Sequence, residues 1–334
     1  MLHAYHATLR RALFLLPLLV VPGAALCQTD YVVETEILAQ QRLFPDVGAG
    51  LRSVCRGPGG HYYILTAPSP AVFVYDSTGK RIGQVPQNPK PPAAIAYGVS
   101  LDVDDAGRVV VADAGANAVK VYAPDGTLGV SFHVNQPVSV ALLPGGEIAV
   151  TSQSSEQLIS VYDNSGNLVR AFGDPGDLSD RPELNRLVNI GLLGRDANAN
   201  LYIALEFFPE PTVRKYDARG YALLEVSIKT LDFESQAQAA RREIAREEPG
   251  GVLSPHRIIT GVGVDAATGD IWLSFGTLLI HVDKDGNRID SYRTYTPDGA
   301  RMEATTIVVE PTRLLLASDP IGIYEFERPD KAAH

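Results

Sequence analysis

The chain is poor in the residues that usually announce a chemistry. Two cysteines, two methionines and one tryptophan occur in 334 residues. That excludes a disulfide-stapled scaffold and a zinc site built from cysteine pairs. Positive charge is the minority sign, with 29 Lys and Arg against 39 Asp and Glu and a formal net charge of −10. Phosphate contacts need clustered cations, so nucleic acid is excluded as a general partner. No apolar run reaches the roughly 20 residues of a membrane-spanning helix. No GxSxG elbow, phosphate-cradling loop or HExxH pair is present. Gly261-Val262-Gly263-Val264-Asp265-Ala266 lacks the third glycine of a dinucleotide loop. Asp283-Lys284-Asp285-Gly286-Asn287 opens like a calcium loop. Its glycine, however, stands at the fourth position rather than the sixth, and Thr294 stands where the closing glutamate belongs, so it reads as a hairpin turn.

The longest apolar run, Ala12 to Val21, follows Arg10 and Arg11 and precedes Pro22, Gly23, Ala24 and Ala25. That order is the layout of a secretory leader. A signal peptide is expected over residues 1–27, with cleavage after Ala25 or Cys27, which makes the protein exported and either periplasmic or extracellular. Leu26 stands before Cys27 where a lipobox has a small residue. Membrane association is therefore expected only if Cys27 is lipidated. Loss of Cys27 with the leader leaves Cys55 as a single thiol, and Ser53-Val54-Cys55 reads as part of a core strand.

What the chain does have is turns and a repeat. Gly (30) and Pro (23) punctuate short runs rich in Val, Ile, Leu and Tyr. The clearest module is Ser100 to Phe132, and related stretches occupy 57–85, 138–172, 194–226, 261–292 and 304–330. Tyr75, Tyr122, Tyr162, Tyr216, Val282 and Glu325 take the same place in successive copies. Most intervals between them fall in the range of roughly 40–50 residues typical of propeller blades. Asp76, Asp163, Asp217 and Asp283 each stand three residues before a glycine, the chemistry of a tight hairpin turn. The longest interval, before Val282, contains Ser235-Gln236-Ala237-Gln238-Ala239-Ala240-Arg241-Arg242-Glu243-Ile244-Ala245, and a surface helix is expected there over about 235–248.

The second copy, Asp105-Ala106-Gly107-Arg108-Val109-Val110-Val111-Ala112-Asp113 with Val119-Lys120-Val121-Tyr122, resembles an NHL-type repeat. Over about residues 50–330 the chain is similar to six-bladed β-propellers built of such repeats. The resemblance implies an all-β, six-bladed β-propeller forming a single domain over 28–334. The last copy ends without a fourth strand, so Tyr31 to Leu38 is expected to close the last blade and remove its bare edge.

The resemblance also implies where a site lies. In such propellers the loops entering each inner strand share one face with the loops between the second and third strands. The entering loops supply Arg52, Tyr97, Asn135, Arg186, His256, Arg257 and Arg301, and the others supply Asp113, Asn117, Glu156, Glu206 and Asp319. Two assignments stay open. Arg52, Arg186, Arg257 and Arg301 could converge on an anionic ligand through forked hydrogen bonds. Alternatively Asp113, Asn117, Glu206 and Asp319 could hold a hard cation such as Ca²⁺ through oxygen. The expected function is a non-catalytic scaffold without a cofactor, binding a small molecule or a protein through the axial loop face. The alternative is a metal-dependent lactonase, esterase or lyase of the propeller class, with a divalent ion in the channel.

Overall fold

The computed structural model describes residues 35–228, 233–245 and 255–329. Its plan follows from the turns. The side chain of Asp76 accepts from the amides of Thr78 and Lys80, and Asp163 does the same for Ser165 and Asn167. Asp217 and Asp283 repeat the device in later copies. The glycine that follows sits at φ between 83° and 97° in all four turns, a region an L side chain rarely enters. Each turn joins a third strand to an antiparallel fourth, with a one-residue irregularity in the pairing next to the turn.

Six such sheets form a six-bladed β-propeller. From the axis outward, the first blade runs Leu51–Arg56, Tyr62–Thr66, Val72–Tyr75 and Arg81–Val85. The second comprises Gly98–Val103, Val109–Asp113, Ala118–Tyr122 and Leu128–His133. The third comprises Pro137–Leu142, Ile148–Ser152, Ile159–Tyr162 and Leu168–Phe172. The fourth holds Gly191–Arg195, Leu201–Leu205, Thr212–Tyr216 and Ala222–Ser227. The fifth holds Gly261–Val264, Ile271–Phe275, Leu278–Val282 and Arg288–Tyr295. The sixth begins with Thr306–Val309, Arg313–Ser318 and Gly322–Glu327. Each inner strand lies beside that of the next blade, and the sixth returns to the first.

The buried apolar residues divide into six clusters among the described residues, one between each pair of neighbouring blades. Val110, Ala112 and Val119 of the second blade meet Val140, Leu142 and Val150 of the third. Leu201 and Ile203 of the fourth meet Ala149 and Val161 of the third. A single blade buries neither face by itself, so each depends on both neighbours. This is why second strands such as Val109–Asp113 and Leu201–Leu205 are buried along their whole length.

The ring closes differently from the sequence expectation. Residues 31–34 and the expected leader lie outside the described residues. Thr35–Leu38 does not join the last blade. It pairs in parallel with the outer strand of the fifth, Thr35 opposite Tyr292 and Leu38 opposite Tyr295. The fourth strand of the sixth blade is Gln41–Leu43, antiparallel to Gly322–Glu327. The reason is a polar network that ties the two ends of the ring together. Gln41 donates to Glu325 at 2.7 Å, Arg313 donates to Glu325 at 2.9 Å and to Glu310 at 2.7 Å, and the Tyr62 hydroxyl donates to Glu310 at 2.5 Å. Phe44 then seats its ring against Tyr62 and Tyr75, with centroids 5.2 and 5.0 Å apart. The junction joins the closing strand, the last blade and the first blade.

Among the described residues two α-helices leave the sheets, both in loops that enter inner strands. Pro182–Val188 precedes the fourth blade and was not expected from the sequence. Glu234–Ala245 precedes the fifth, and 246–248 of the expected helix lie outside the described residues. Ala237 and Ala240 are its buried positions, and the neighbouring Phe233 stacks on Phe275 at 4.3 Å. Phe275 ends the second strand of the fifth blade, so the helix is anchored on the loop face.

Candidate functional site: the axial channel and its loop face

The inner strands of all six blades enclose an axial cavity of about 290 Å³. Close approach of these strands depends on small residues. A Cβ on Gly263 would lie 2.6 Å from Ile307, and one on Gly194 would lie 2.6 Å from Val264. Short hydroxyls lace the ring. Ser100 accepts from the Val140 amide, Ser139 accepts from the Leu193 amide, and Thr306 donates to the Arg52 carbonyl. Val99, Leu192, Val262 and Val308 complete the wall.

Of the expected ligand-binding set, only Arg52 lines this cavity. It sits at the loop-face end of the first inner strand. Its guanidinium donates to the Tyr97 hydroxyl at 2.9 Å, lies 5.6 Å from the centre of that ring, and comes within 3.8 Å of Asp319. Its Nε is buried without a hydrogen-bond partner. Asn135 donates to Ser154 and stays on the rim. Arg186 lies on the exposed face of the first helix, and Arg301 is exposed beside its bridge to Tyr295. His256 is exposed, with its backbone amide on Glu243. Arg257 is drawn to Glu206 at 2.5 Å. Arg186, Arg257 and Arg301 are therefore not gathered with Arg52 around the cavity.

The expected metal ligands are each engaged locally. Asp113 is fully buried and accepts from the amides of Ala96, Tyr97 and Ala116, with Lys120 at 2.9 Å. Lys120 also donates to the Ala94 carbonyl. Burial alone would raise the Asp113 carboxyl, but these amides and the ammonium outweigh it and hold the group below the usual carboxylate range. Asp113 thus fixes the loop that carries Tyr97. Asn117, in a left-handed conformation, accepts from the Gln136 amide. Glu206 is buried, and its acid is pushed up by burial despite Arg257. Asp319 accepts from the Gly50 amide at 2.7 Å and faces Arg52. Glu156 is exposed. No cluster of three or more His, Cys, Asp or Glu suited to a metal occurs among the described residues.

The far end of the cavity holds residues the sequence reading missed. Arg195, from the fourth blade, donates to Asp102 at 3.0 Å and to the Val103 carbonyl at 3.2 Å. It thereby reaches past the third blade to the second. Asp102 also accepts from the Leu142 amide at 2.7 Å. Cys55 packs, half-buried, against the apolar cluster between the first and second blades and also lines the channel, its thiol 3.5 Å from Asp102. Burial, reinforced by that carboxylate, pushes the thiol far up, so it stays protonated. The one signal available was a charged residue inside an apolar strand, Asp102 in Ser100-Leu101-Asp102-Val103.

No family model and no curated protein matches the sequence. Among solved structures, a streptogramin B lyase structure is similar with a TM-score of 0.56 at 13% identity, covering 86% of each chain. A virginiamycin B lyase from Staphylococcus aureus gives 0.54 at 13%, covering 86% of this chain and 87% of that one. Hydrazine synthase of Kuenenia stuttgartiensis gives 0.53 at 13%, covering 89% and 97%. At such identities the similarity is one of fold, and fold does not carry function with it.

Proposed function

We propose that this chain is an exported propeller scaffold that binds a small anionic ligand at the loop-face end of its axial channel without turning it over. Arg52 carries the reading. It is the expected ligand-binding residue that lines the cavity, and Tyr97 and Asp319 hold it in place while its Nε has no acceptor. A guanidinium fixed in this way binds a carboxylate through short, charge-assisted hydrogen bonds with little loss of side-chain freedom. The rigid ring of loops supplies recognition without a moving part. Export rests on Arg10, Arg11 and the apolar run that follows them.

The metal-dependent alternative needs acids turned toward the channel. Asp113 and Glu206 face Lys120 and Arg257 instead. The test is a thermal-shift panel of small carboxylates, neutral amides and amines on the mature chain, with metal analysis and a lactone and ester screen alongside. Carboxylates should raise the melting temperature, and Arg52→Gln should abolish the shift. One bound ion per chain, with turnover lost in Asp319→Asn, would overturn the scaffold reading.

A further inference from the structure

The channel has a second cationic end. Arg56 ends the inner strand Leu51–Arg56, Arg52 stands near its start, and both line the cavity. Four residues of strand place their backbones about 13 Å apart at roughly 3.3 Å per residue. The nearest acid to Arg56 is Glu310, 3.4 Å from its Nε. Glu310, however, is already bound by Arg313 at 2.7 Å and by the Tyr62 hydroxyl at 2.5 Å. The Arg56 side chain is 46% exposed, and its guanidinium makes no hydrogen bond among the described residues. The other guanidinium at this end, Arg195, is committed to Asp102 and the Val103 carbonyl. It spans from the fourth blade to the second and lines the cavity there.

Between the two arginines the wall mixes hydrocarbon with short polar side chains. Leu192 belongs to the fourth blade, opposite the first in a ring of six, and Val99, Val262 and Val308 flank it. The hydroxyls of Ser100, Ser139 and Thr306 are already used in lacing neighbouring strands together. An acid group therefore has a partner at each end of the cavity, and a chain between them can lie against Leu192, Val99, Val262 and Val308. This inference rests on the channel being the ligand site and specifies what occupies it. We propose that the ligand is a linear dianion, a dicarboxylate with an unbranched hydrocarbon spacer. It lies along the inner strand of the first blade, with one carboxylate on Arg52 and the other on Arg56.

The experiment is calorimetric titration of the mature chain with a graded series from succinate to dodecanedioate, against monocarboxylates of matched length. Affinity should peak at one spacer length and exceed that of the matched monoacid by at least about tenfold, the 1.4 kcal/mol that each decade represents. Arg56→Gln should reduce the best diacid to the level of the monoacid while leaving the monoacid unchanged. Arg56→Lys should restore part of the loss, and Arg52→Gln should weaken both classes. Melting curves of each variant establish that the ring is intact. Monoacids that bind as tightly as diacids, a flat length profile, or an indifferent Arg56→Gln would overturn the dianion and leave the anion scaffold standing. Failure of every mono- and dicarboxylate to bind would overturn both.

Discussion

Glu206 and Arg257 meet at 2.5 Å on the loop face, the acid 5% exposed and the guanidinium 39%. Burial pushes the Glu206 acid up, in spite of its cation. A native acid that holds its proton more tightly than the unfolded chain contributes its full stability below the ordinary glutamate value, near 4.3. That contribution is lost as pH rises through the higher native value. Ionised Glu206 thus works against the fold at neutral pH. Glu206→Gln keeps an oxygen for Arg257 and removes the charge. Its melting temperature relative to the parent should therefore rise as pH is brought from about 4 to about 7. A difference that stays constant across that range would show that the carboxylate is not penalised. At this scale the sequence was legible where chemistry is local. The Asp-turn side chains bond amides two and four residues on, so Asp76, Asp163, Asp217 and Asp283 could be read from spacing alone. The partners of Asp113 and Glu206 lie on other strands and loops, and those partners decide whether a carboxylate is available to a ligand.

Among the elements, the two N-terminal strands have different tasks. Thr35–Leu38 adds a parallel edge to a blade that already has four strands. Gln41–Leu43 completes a blade that has three. A mature chain begun at Gln40 should lose a few degrees of melting temperature. One begun at Phe44 should lose many more, because Glu325 loses Gln41 and the ring opens. Equal losses would mean that the fifth blade depends on its extra strand as much as the sixth on its closing one. Closure was readable as a need, since the last copy ends one strand short. The strand itself was not, because Gln41-Arg42-Leu43 has no apolar alternation, whereas Tyr31 to Leu38 does. Pairing with Glu325 selects it, and no local pattern records a contact 284 residues away.

For the molecule as a whole, stability sits between blades rather than within them. Trp272, the single tryptophan, is fully buried in the cluster shared by the fifth and sixth blades and lies parallel to the ring of His281 at 4.0 Å. An open array of repeats can fray from its ends, but a closed one exposes two blade faces as soon as any interface parts. Trp272 fluorescence and far-ultraviolet circular dichroism should therefore report one coincident urea transition. Transitions that separate would show that the fifth and sixth blades unfold on their own. The ring was evident in the sequence because every copy repeats the same strands and turns. The channel was not, because its lining is set by how six inner strands align side by side. Arg195 meets Asp102 across two blades, a contact no single module contains.

The borrowed strand also fixes an order of events during biosynthesis. Gln41 to Leu43 leaves the ribosome before any blade exists, yet its partner Glu325 follows 284 residues later. The growing polypeptide must carry this early piece unused until the third strand of the sixth blade has been made. A product cut short before Gly322 has no place to put it, and it emerges with the bare margins that quality-control proteases recognise.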